Sequence, residues 1–468
     1  MIDHLITNAI IVTVNKKREI LYHGAIAIKG NEIADIGESD FLIKKYPNVK
    51  KMTDVGGKII FPGFINTHNH LFQTLLKGLG DDMVLKDWLA TMTFPAATNL
   101  TPEDCYQAAM LGCMEGIHSG ITTMLDYMYP HNREGLSDGV IQAFKELGIR
   151  GILGRGTMNT GEEFGVQKGI MQPIEVVEKD LRRLFETYHN TENGRIKIWV
   201  APAAMWSNTR DMLEMLWKVT NEYQSGFTVH ISETPFDREA AKVLHGKFDA
   251  EMLEELGIVG PNVLMVHCCY LTEKDMEMAK KHDIKVSHNV CSNMYLSSGV
   301  APIPELLTQG ITCSLGVDGA ASNNAQDMVE LMKFTALQHK VHTKNPLAMS
   351  AEKVLEMATI DGARAIGMED EIGSLEVGKK ADLVIFDPME SPKAIPMHNP
   401  VSTLVYSSSL KNIVGVMVDG NTIMENGVIT VVEDERAIYE SAQRCAEDLC
   451  VRGEIKNRRE GHLWNGIY

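Results

Sequence analysis

The sequence predicts an α/β protein, a (β/α)8 barrel of the TIM type with a small β-sandwich domain formed by both ends of the chain. Eight short apolar segments alternate with amphipathic helices through the middle of the chain, as parallel βαβ units require. Strand-like segments broken by turn residues occupy both ends. Ionisable residues follow several central strands, at the carboxyl ends where barrels of this class carry their catalytic groups.

The two ends of the chain have the pattern of short strands separated by turn residues. Early segments lie at 6–14, 25–28, 32–36 and 52–55, and late ones at 381–386, 413–418 and 421–424. The last two are joined by the two-residue hairpin turn Asp419-Gly420. We therefore expect one sandwich domain from 1–60 and 371–432, with the barrel at 61–370 inserted between them. Residues 433–468 should form a helix to about Cys450 and then a charged tail containing Trp464.

The middle of the chain supplies the elements of the barrel. Candidate strands lie at 58–68, 122–127, 151–156, 197–204, 227–233, 263–269, 285–289 and 312–318. Helices with apolar residues at three- and four-residue spacing lie between strands, at 101–118, 210–223, 273–282 and 327–339. An open doubly wound sheet would need a glycine-rich phosphate turn after an early strand. The nearest match, Gly151 to Gly156, has the wrong spacing and opens no helix, so the barrel is the better prediction.

Composition excludes some classes of function. The 468 residues suffice for a barrel and a smaller domain, and the formal net charge of −17 repels nucleic-acid phosphates and anionic membranes. No segment approaches the ~20 apolar residues of a membrane helix, and the N-terminus lacks a basic signal region. The eight cysteines form no Cys-x-x-Cys motif. We expect a cytoplasmic protein that binds neither nucleic acid nor a membrane.

Two histidines close the first barrel strand, in the motif Phe61-Pro-Gly-Phe-Ile-Asn-Thr-His68-Asn-His70. Side chains alternate along a strand, so His68 and His70 share one face, and two neutral imidazoles make half of a metal site. Taken alone, the pair is ambiguous, because a chain with 16 histidines often contains a chance His-x-His. Its meaning depends on whether further ligands stand at the same level of the barrel.

Such residues end four consecutive later strands. They are His230 and Glu233, His267, His288, and Asp318. Each one alone could be a capping residue or a satisfied core side chain. Their recurrence at one structural level, together with the first-strand histidines, is improbable as an accident and indicates a site at the mouth of the barrel.

These residues resemble the amidohydrolase superfamily, and within it the aminohydrolases that use one metal ion. The resemblance extends over nearly the whole chain, from the N-terminal strands and the motif ending at His70 to Gly373-Ser-Leu-Glu-Val-Gly-Lys-Lys-Ala-Asp-Leu-Val-Ile-Phe386. It implies that the metal ligands are His68, His70, His230 and Asp318. It also implies that Glu233 is the proton shuttle and that His267 contacts the metal or its water, so the catalytic set is Glu233, His267 and Asp318.

The implied ligand set, three imidazoles and one carboxylate, suits one divalent ion, with zinc favoured and iron as the alternative. Relatives with two metals carry a carboxylated lysine at the end of strand four. Here that strand ends at Ala204 and Lys197 stands at its other end, so one metal is expected. The ion would lower the pKa of a bound water molecule, which would then attack a ring carbon of the substrate. Ammonia would leave from that carbon, and Glu233 and Asp318 would transfer the protons.

The substrate class is narrowed by the same resemblance, which is closest to guanine deaminases, S-adenosylhomocysteine deaminases, melamine deaminase and atrazine chlorohydrolase. Adenosine-type members have a Pro-His motif after strand four, whereas this chain has Ala203-Ala-Met-Trp206. Atrazine chlorohydrolase lacks the pair Asp318-Gly319 and the histidine at 288 that this chain has. We therefore predict deamination of a free amino-substituted N-heterocycle, of the guanine, aminotriazine or pterin type. Deamination of S-adenosylhomocysteine or 5'-methylthioadenosine, and triazine dechlorination, are the alternatives.

Six residues are candidate substrate contacts by the same resemblance: Gln73, Trp88, Arg155, Trp206, His288 and Asn293. Their alternative role is packing, which is common for tryptophan. A homo-oligomer is expected, because relatives are commonly oligomeric. The rival class is a non-catalytic metal-binding barrel, since a fold alone does not establish activity. Glu233 argues against that rival, because a purely structural metal needs no carboxylate three residues beyond a ligand.

Overall fold

The computed structural model describes residues 1–456, so the predicted tail with Trp464 lies outside the described residues. Strands β1–β5 are His4–Val12, Ile20–Lys29, Glu32–Glu38, Lys51–Asp54 and Ile59–Pro62. Strands β6–β13 are Phe64–Asn69, Ile121–Met128, Arg150–Thr157, Ile196–Pro202, Phe227–Ile231, Val263–His267, Lys285–His288 and Cys313–Leu315. Strands β14–β17 are Leu383–Phe386, Ile413–Val418, Asn421–Glu425 and Val428–Ile429.

The α-helices cover and connect these strands. Helices α1–α9 are Ser39–Lys45, Leu85–Trp88, Phe94–Ala97, Pro102–His118, Leu136–Leu147, Ile174–Tyr188, Thr191–Gly194, Arg210–Glu222 and Pro235–His245. Helices α10–α18 are Asp249–Glu255, Glu273–Lys281, Val290–Tyr295, Ile303–Thr308, Met328–Thr343, Ala351–Ala358, Ile360–Ala365, Pro400–Tyr406 and Glu435–Arg452. A 3-10 helix, Leu71–Leu76, follows the first barrel strand, and a π-helical turn, Leu89–Thr93, follows α2.

Eight parallel strands, β6 to β13, lie side by side in chain order and form the predicted (β/α)8 barrel. Strands such as β7 and β8 are buried along their whole length, because the barrel core covers one face and the helices cover the other. Strand β10 ends at Ile231 and β13 at Leu315, earlier than the sequence predicts. The left-handed backbone of Ser232 (φ 48°) and Asp318 (φ 64°) is incompatible with an extended strand. Glu233 and Asp318 consequently lie in the loops that follow the strands.

The predicted first strand is in fact two strands that belong to different sheets. Ile59–Pro62 pairs with β1 and β14, whereas Phe64–Asn69 pairs with β7 in the barrel. Gly63 separates them, and its N–H donates to the Asp382 carbonyl. The chain therefore changes sheets at one residue, immediately before the strand that leads to the two histidines.

The other sheet contains strands from both ends of the chain, as the sequence predicts. Its order is β17-β16-β15-β14-β5-β1-β2-β3, and β4 also pairs with β1. Strands β15 and β16 form the hairpin closed by Asp419 and Gly420. Ile26 and Ile33 from one side of the sheet share a buried cluster with Leu383 and Met417 from the other. The sheet thus folds over on itself around an apolar core.

The C-terminal helix α18 packs against α4 of the barrel. Arg452 pairs with Asp104 near one end of the contact, and His118 pairs with Glu435 (3.0 Å) near the other. This agrees with the predicted helix from about 433 to 450. Within residues 1–456, no helix combines the length and the apolar character needed to cross a membrane.

Candidate active site

The carboxyl ends of the barrel strands bring five ionisable side chains together. His68 and His70 come from the end of β6, His230 from β10 and His267 from the end of β11, and Asp318 follows β13. His68 Nε2 and His70 Nε2 lie 3.3 and 3.4 Å from the same oxygen, Asp318 Oδ1. His70 Nε2 and His230 Nε2 are 3.2 Å apart. The pattern of strand ends in the sequence therefore converges on one cluster.

The protonation of the imidazoles favours a bound cation. His70 Nδ1 donates to the Tyr127 carbonyl (2.7 Å), and His230 Nδ1 donates to the Ala203 carbonyl (2.5 Å). Each Nε2 atom therefore presents a lone pair, and the two lone pairs face each other. Both ring nitrogens of His68 are buried without a hydrogen bond among the described residues. A divalent cation between the three rings would satisfy one nitrogen of each.

The pKa values agree with this assignment. Burial, together with neighbouring imidazoles, lowers the pKa of His70 to about 3 and holds the pKa of His230 well below its ordinary value. Burial also lowers the pKa of His68. For Asp318, burial acts to raise the pKa, but the nearby imidazoles outweigh it and hold the pKa well below its ordinary value. Three neutral imidazoles and an ionised carboxylate are a suitable donor set for zinc or a similar ion.

Glu233 and His267 stand beside this donor set. His267 Nε2 lies 3.6 Å from Glu233 Oε2 and 3.8 Å from Asp318 Oδ2. Burial raises the pKa of Glu233 to about 7. Burial would lower the pKa of His267, but the two carboxylates outweigh it and raise that pKa. Glu233 can therefore hold or release a proton near neutral pH, as general acid–base chemistry requires.

A cavity opens on the cluster, in a concave, largely apolar place of the kind that binds small organic ligands. The cluster forms one part of its lining, through His70, His230, Glu233, His267 and Asp318. Much of the remaining wall is apolar, and includes Leu85, Trp88, Phe94, Met158, Trp206 and Leu296. Among the described residues, no lysine or arginine lines this cavity.

The family follows from a comparison of the sequence. The amidohydrolase family model matches residues 59–423, which is more than three quarters of the chain. The chain belongs to the amidohydrolase family. It is a hydrolase that acts on carbon–nitrogen bonds, and the resemblance predicted from the strand-end residues is confirmed.

Two of the relatives that match along almost their whole length illustrate the similarity. The chain is 38% identical over 446 residues to a 5'-deoxyadenosine deaminase from Methanobrevibacter smithii, with 95% of this chain and 98% of the relative covered. It is 35% identical over 449 residues to a 5-methylthioadenosine/S-adenosylhomocysteine deaminase from Thermoanaerobacter pseudethanolicus, with 96% and 99% covered.

Solved structures of lower identity share the fold of the amidohydrolase chain. An adenosine deaminase from Xanthomonas campestris, solved with bound zinc, has a TM-score of 0.89 at 24% identity, with 96% of this chain and 99% of that chain covered. Guanine deaminase from E. coli has a TM-score of 0.81 at 22% identity, with 90% and 99% covered. At these identities the likeness establishes the architecture alone.

Three of the six predicted substrate contacts line the cavity: Gln73, Trp88 and Trp206. Trp88 Nε1 donates to the Ala321 carbonyl (2.9 Å), and Trp206 Nε1 donates to Asp237 Oδ1 (2.9 Å), so both indole rings are fixed in the wall. Gln73 Oε1 has no hydrogen bond among the described residues and remains available to a ligand.

The other three predicted contacts do not line the cavity, and these predictions are corrected. Arg155 is fully buried, and it pairs with Asp180 (3.1 Å) and donates to Gln172 (2.7 Å). His288 Nε2 lies 3.0 Å from His339 Nε2 on α14. Asn293 Oδ1 accepts from His267 Nδ1 (2.9 Å), so it orients a site residue instead of contacting a ligand. A strand end shows which residues are near a site, but not which of them face it.

Sequence reasoning missed several polar groups at or near the cavity. Tyr129, Asp237 and Ser322 line it, and Ser298 donates to Glu233 Oε1 (2.9 Å). Tyr129 stands one residue after β7, so the strand-end rule that identified the histidines could have found it. Ser298 lies 65 positions from Glu233 in the chain, and no sequence pattern links the two.

Proposed function

We propose that this amidohydrolase deaminates an adenine-type nucleoside whose 5' end is apolar, such as 5'-deoxyadenosine or 5'-methylthioadenosine. The observation that carries the proposal is the cavity itself: proton-transfer and metal-binding groups at one side, and an apolar wall with no cationic residue elsewhere. The relatives with 35–38% identity, named for such nucleosides, support the same class.

The chemistry of the site fits this reaction. His68, His70, His230 and Asp318 would hold one divalent ion, with zinc favoured. When bound, such an ion activates water and lowers its pKa towards ~7. Glu233, whose pKa is about 7, carries a proton that it can deliver to a ring nitrogen of the substrate. Asp318 can accept a proton from the attacking water, and His267, between the two carboxylates, can hydrogen-bond the reacting oxygen. Asp318 then passes its proton to the amino nitrogen, which leaves the tetrahedral carbon as ammonia, and Glu233 recovers a proton from the added hydroxyl group as the carbonyl forms.

The cavity discriminates between possible 5' substituents. The amino-acid end of S-adenosylhomocysteine carries a carboxylate, which would find no lysine or arginine in this cavity among the described residues. A methyl or methylthio group would instead lie against apolar side chains such as Leu85 and Met158, at no desolvation cost. We therefore rank S-adenosylhomocysteine below the two apolar nucleosides.

The free heterocycles predicted from the sequence remain a second candidate. Gln73 favours them, because its unpaired Oε1 faces the cavity and could accept an N–H of guanine or of an aminotriazine. The missing Pro-His motif also favours free heterocycles over nucleosides. Ala203 and Ala204 are small side chains in the cavity wall at that place, and we infer that a sugar could lie beside them.

Release of ammonia tests both candidates. Zinc-loaded protein is incubated with 5'-deoxyadenosine, 5'-methylthioadenosine, S-adenosylhomocysteine, adenosine, guanine, melamine and pterin. We expect the highest kcat/KM with the first two. Preference for guanine, melamine or pterin would support the second candidate, and silence across the panel with zinc bound would overturn both.

The Glu233→Gln variant is the matched control for catalysis. It should bind zinc with the wild-type stoichiometry and lose at least ~100-fold in kcat, because the amide cannot transfer the proton. Loss of zinc by this variant would contradict the role assigned to Glu233.

A further inference from the structure

The barrel has one joint that is not closed by a backbone ladder. In the part of the chain that the structure describes, each strand from β6 to β13 pairs with the next, but no ladder connects β13 to β6. Isolated contacts close this joint: the Asp318 N–H donates to the His68 carbonyl (3.0 Å), and the Val317 N–H donates to Asn66 Oδ1 (3.0 Å). The joint lies between the first-strand histidines and Asp318, which are members of the same proposed metal site.

A reciprocal pair of side-chain amides spans this joint. Asn69 Nδ2 donates to Gln326 Oε1 (2.7 Å), and Gln326 Nε2 donates to Asn69 Oδ1 (3.0 Å). Both residues are fully buried. Asn69 stands between the two histidines, so its side chain points to the face opposite theirs. The pair therefore contacts the site from behind and cannot touch a ligand in the cavity.

The same amides also bind the backbone of two proposed metal ligands. Asn69 Oδ1 accepts from the His70 N–H (2.7 Å), and Gln326 Nε2 donates to the Asp318 carbonyl (3.2 Å). Asp318 has a left-handed backbone (φ 64°), which costs energy for a non-glycine residue and needs support from its surroundings. One hydrogen-bonded unit thus joins the backbones of His70 and Asp318 across the joint.

The position of Gln326 is fixed independently from the helix layer. Its N–H donates to Glu115 Oε1 (3.0 Å), and its carbonyl accepts from Ser119 Oγ (3.2 Å), both on or next to α4. The amide pair therefore has a rigid anchor on one side and the backbones of two proposed ligands on the other. Such supporting contacts commonly set the geometry of a metal site.

We propose that Asn69 and Gln326 are positioning residues that set the spacing of Asp318 from His68 and His70, and thereby the affinity and geometry of the metal site. This inference rests on the metal ligands assigned under the proposed function. It assigns a role to the residue between the two histidines, and to a glutamine eight positions after Asp318.

Metal affinity provides the test. The variants Asn69→Ala, Gln326→Met and the double variant are compared with wild type by zinc competition against a chelator, and by the visible spectrum of the cobalt-loaded protein. We expect each single variant to bind zinc at least ~10-fold more weakly and to change the cobalt spectrum. The double variant should lose about as much as one single variant, because the two amides act as a unit.

Thr220→Ala is the matched control, since it removes a buried side-chain hydrogen bond, from Thr220 Oγ1 to the Leu216 carbonyl (2.9 Å), in helix α8, which contacts neither amide of the pair. It should keep wild-type zinc affinity and cobalt spectrum. If Asn69→Ala does not fold, Gln326→Met against Thr220→Ala decides the question. Variants with a lowered melting temperature in the metal-free form, but unchanged zinc affinity and cobalt spectrum, would show a purely structural role and overturn the inference. Wild type that binds no zinc would instead overturn the proposed function.

Discussion

Asp126 is a fully buried carboxyl group next to the first-strand histidines. Its Oδ1 accepts from the Leu71 N–H (2.7 Å), at the start of the 3-10 helix that carries Gln73. Its Oδ2 has no hydrogen bond among the described residues. Burial raises the pKa of Asp126 to about 7. The group therefore supports the segment after His70 while tending to remain protonated up to neutral pH.

The substitution Asp126→Asn should make stability less dependent on pH. The folded chain keeps a proton on Asp126 up to about pH 7, whereas an unfolded aspartate loses it at about pH 3.9. Folding of the wild type therefore weakens as pH rises through this window, by on the order of 2 kcal/mol between pH 5.5 and pH 8. The asparagine side chain of the variant keeps an acceptor for the Leu71 N–H and does not titrate.

Melting temperatures of the two proteins at pH 5.5 and pH 8 check this prediction. The variant should gain a few degrees relative to wild type at the higher pH. All other titratable groups are common to both proteins. The melting-temperature difference between variant and wild type therefore changes with pH only because of Asp126. A difference that is the same at both pH values would refute the raised pKa.

Single residues of the site were predictable where periodicity alone decides their direction. His68 and His70 share a face because side chains alternate along β6, and both belong to the observed cluster. Arg155 also lies in a barrel strand, but its side chain enters the helix layer and pairs with Asp180, a partner that only the packing of α6 brings near. Asn293 and Ser298 reach His267 and Glu233 from a later part of the chain. Contacts of this kind depend on the tertiary structure, which no local pattern encodes.

At the scale of elements, Gly63 divides the stretch that the sequence presents as one strand. A methyl group on this residue would lie 2.1 Å from Thr122 Oγ1 and 2.4 Å from Thr122 Cγ2. The apolar run from Ile59 to Phe64 conceals this break, because the chain is buried in both sheets. The existence and order of the barrel strands could be predicted from alternation, but the change of sheet could not. It depends on how closely β7 approaches the chain at this point.

The substitution Gly63→Ala should destabilise the protein by about 1–3 kcal/mol, because Thr122 or the backbone must move. Thr122→Ala in the same chain should restore part of the loss, since it removes the two nearest atoms. Gly37→Ala is the control: the nearest atom to its added methyl group would be Leu42 Cγ at 4.0 Å. Denaturant unfolding measures all of these variants. Equal losses for the two glycines would contradict the steric explanation.

At the scale of the whole molecule, the barrel and the terminal sheet are joined by a buried ion cluster. Arg150, at the start of β8, donates to both oxygens of Asp382 (2.6 and 2.9 Å) and to Asp419 (2.9 Å). All three side chains are about 2% exposed. Asp419 belongs to the hairpin turn that the sequence predicts, but its partner lies 269 positions earlier in the chain. The strands of the terminal sheet were thus predictable, while the contact that fixes them to the barrel was not.

The cluster predicts a large cost for removing the arginine. Arg150→Met leaves two aspartates buried without their cation, and the free energy of unfolding should fall by about 3–5 kcal/mol. The control is Arg183→Met, whose guanidinium pairs with Asp138 and Asp180 at 42% exposure, and which should cost less than ~1 kcal/mol. The two variants remove the same charge, so a comparable loss of unfolding free energy from both would show that burial does not decide the strength of the ion cluster.

The Arg150 variant should also unfold in two steps by circular dichroism if the cluster couples the terminal sheet to the barrel, whereas the Arg183 variant should keep the wild-type transition.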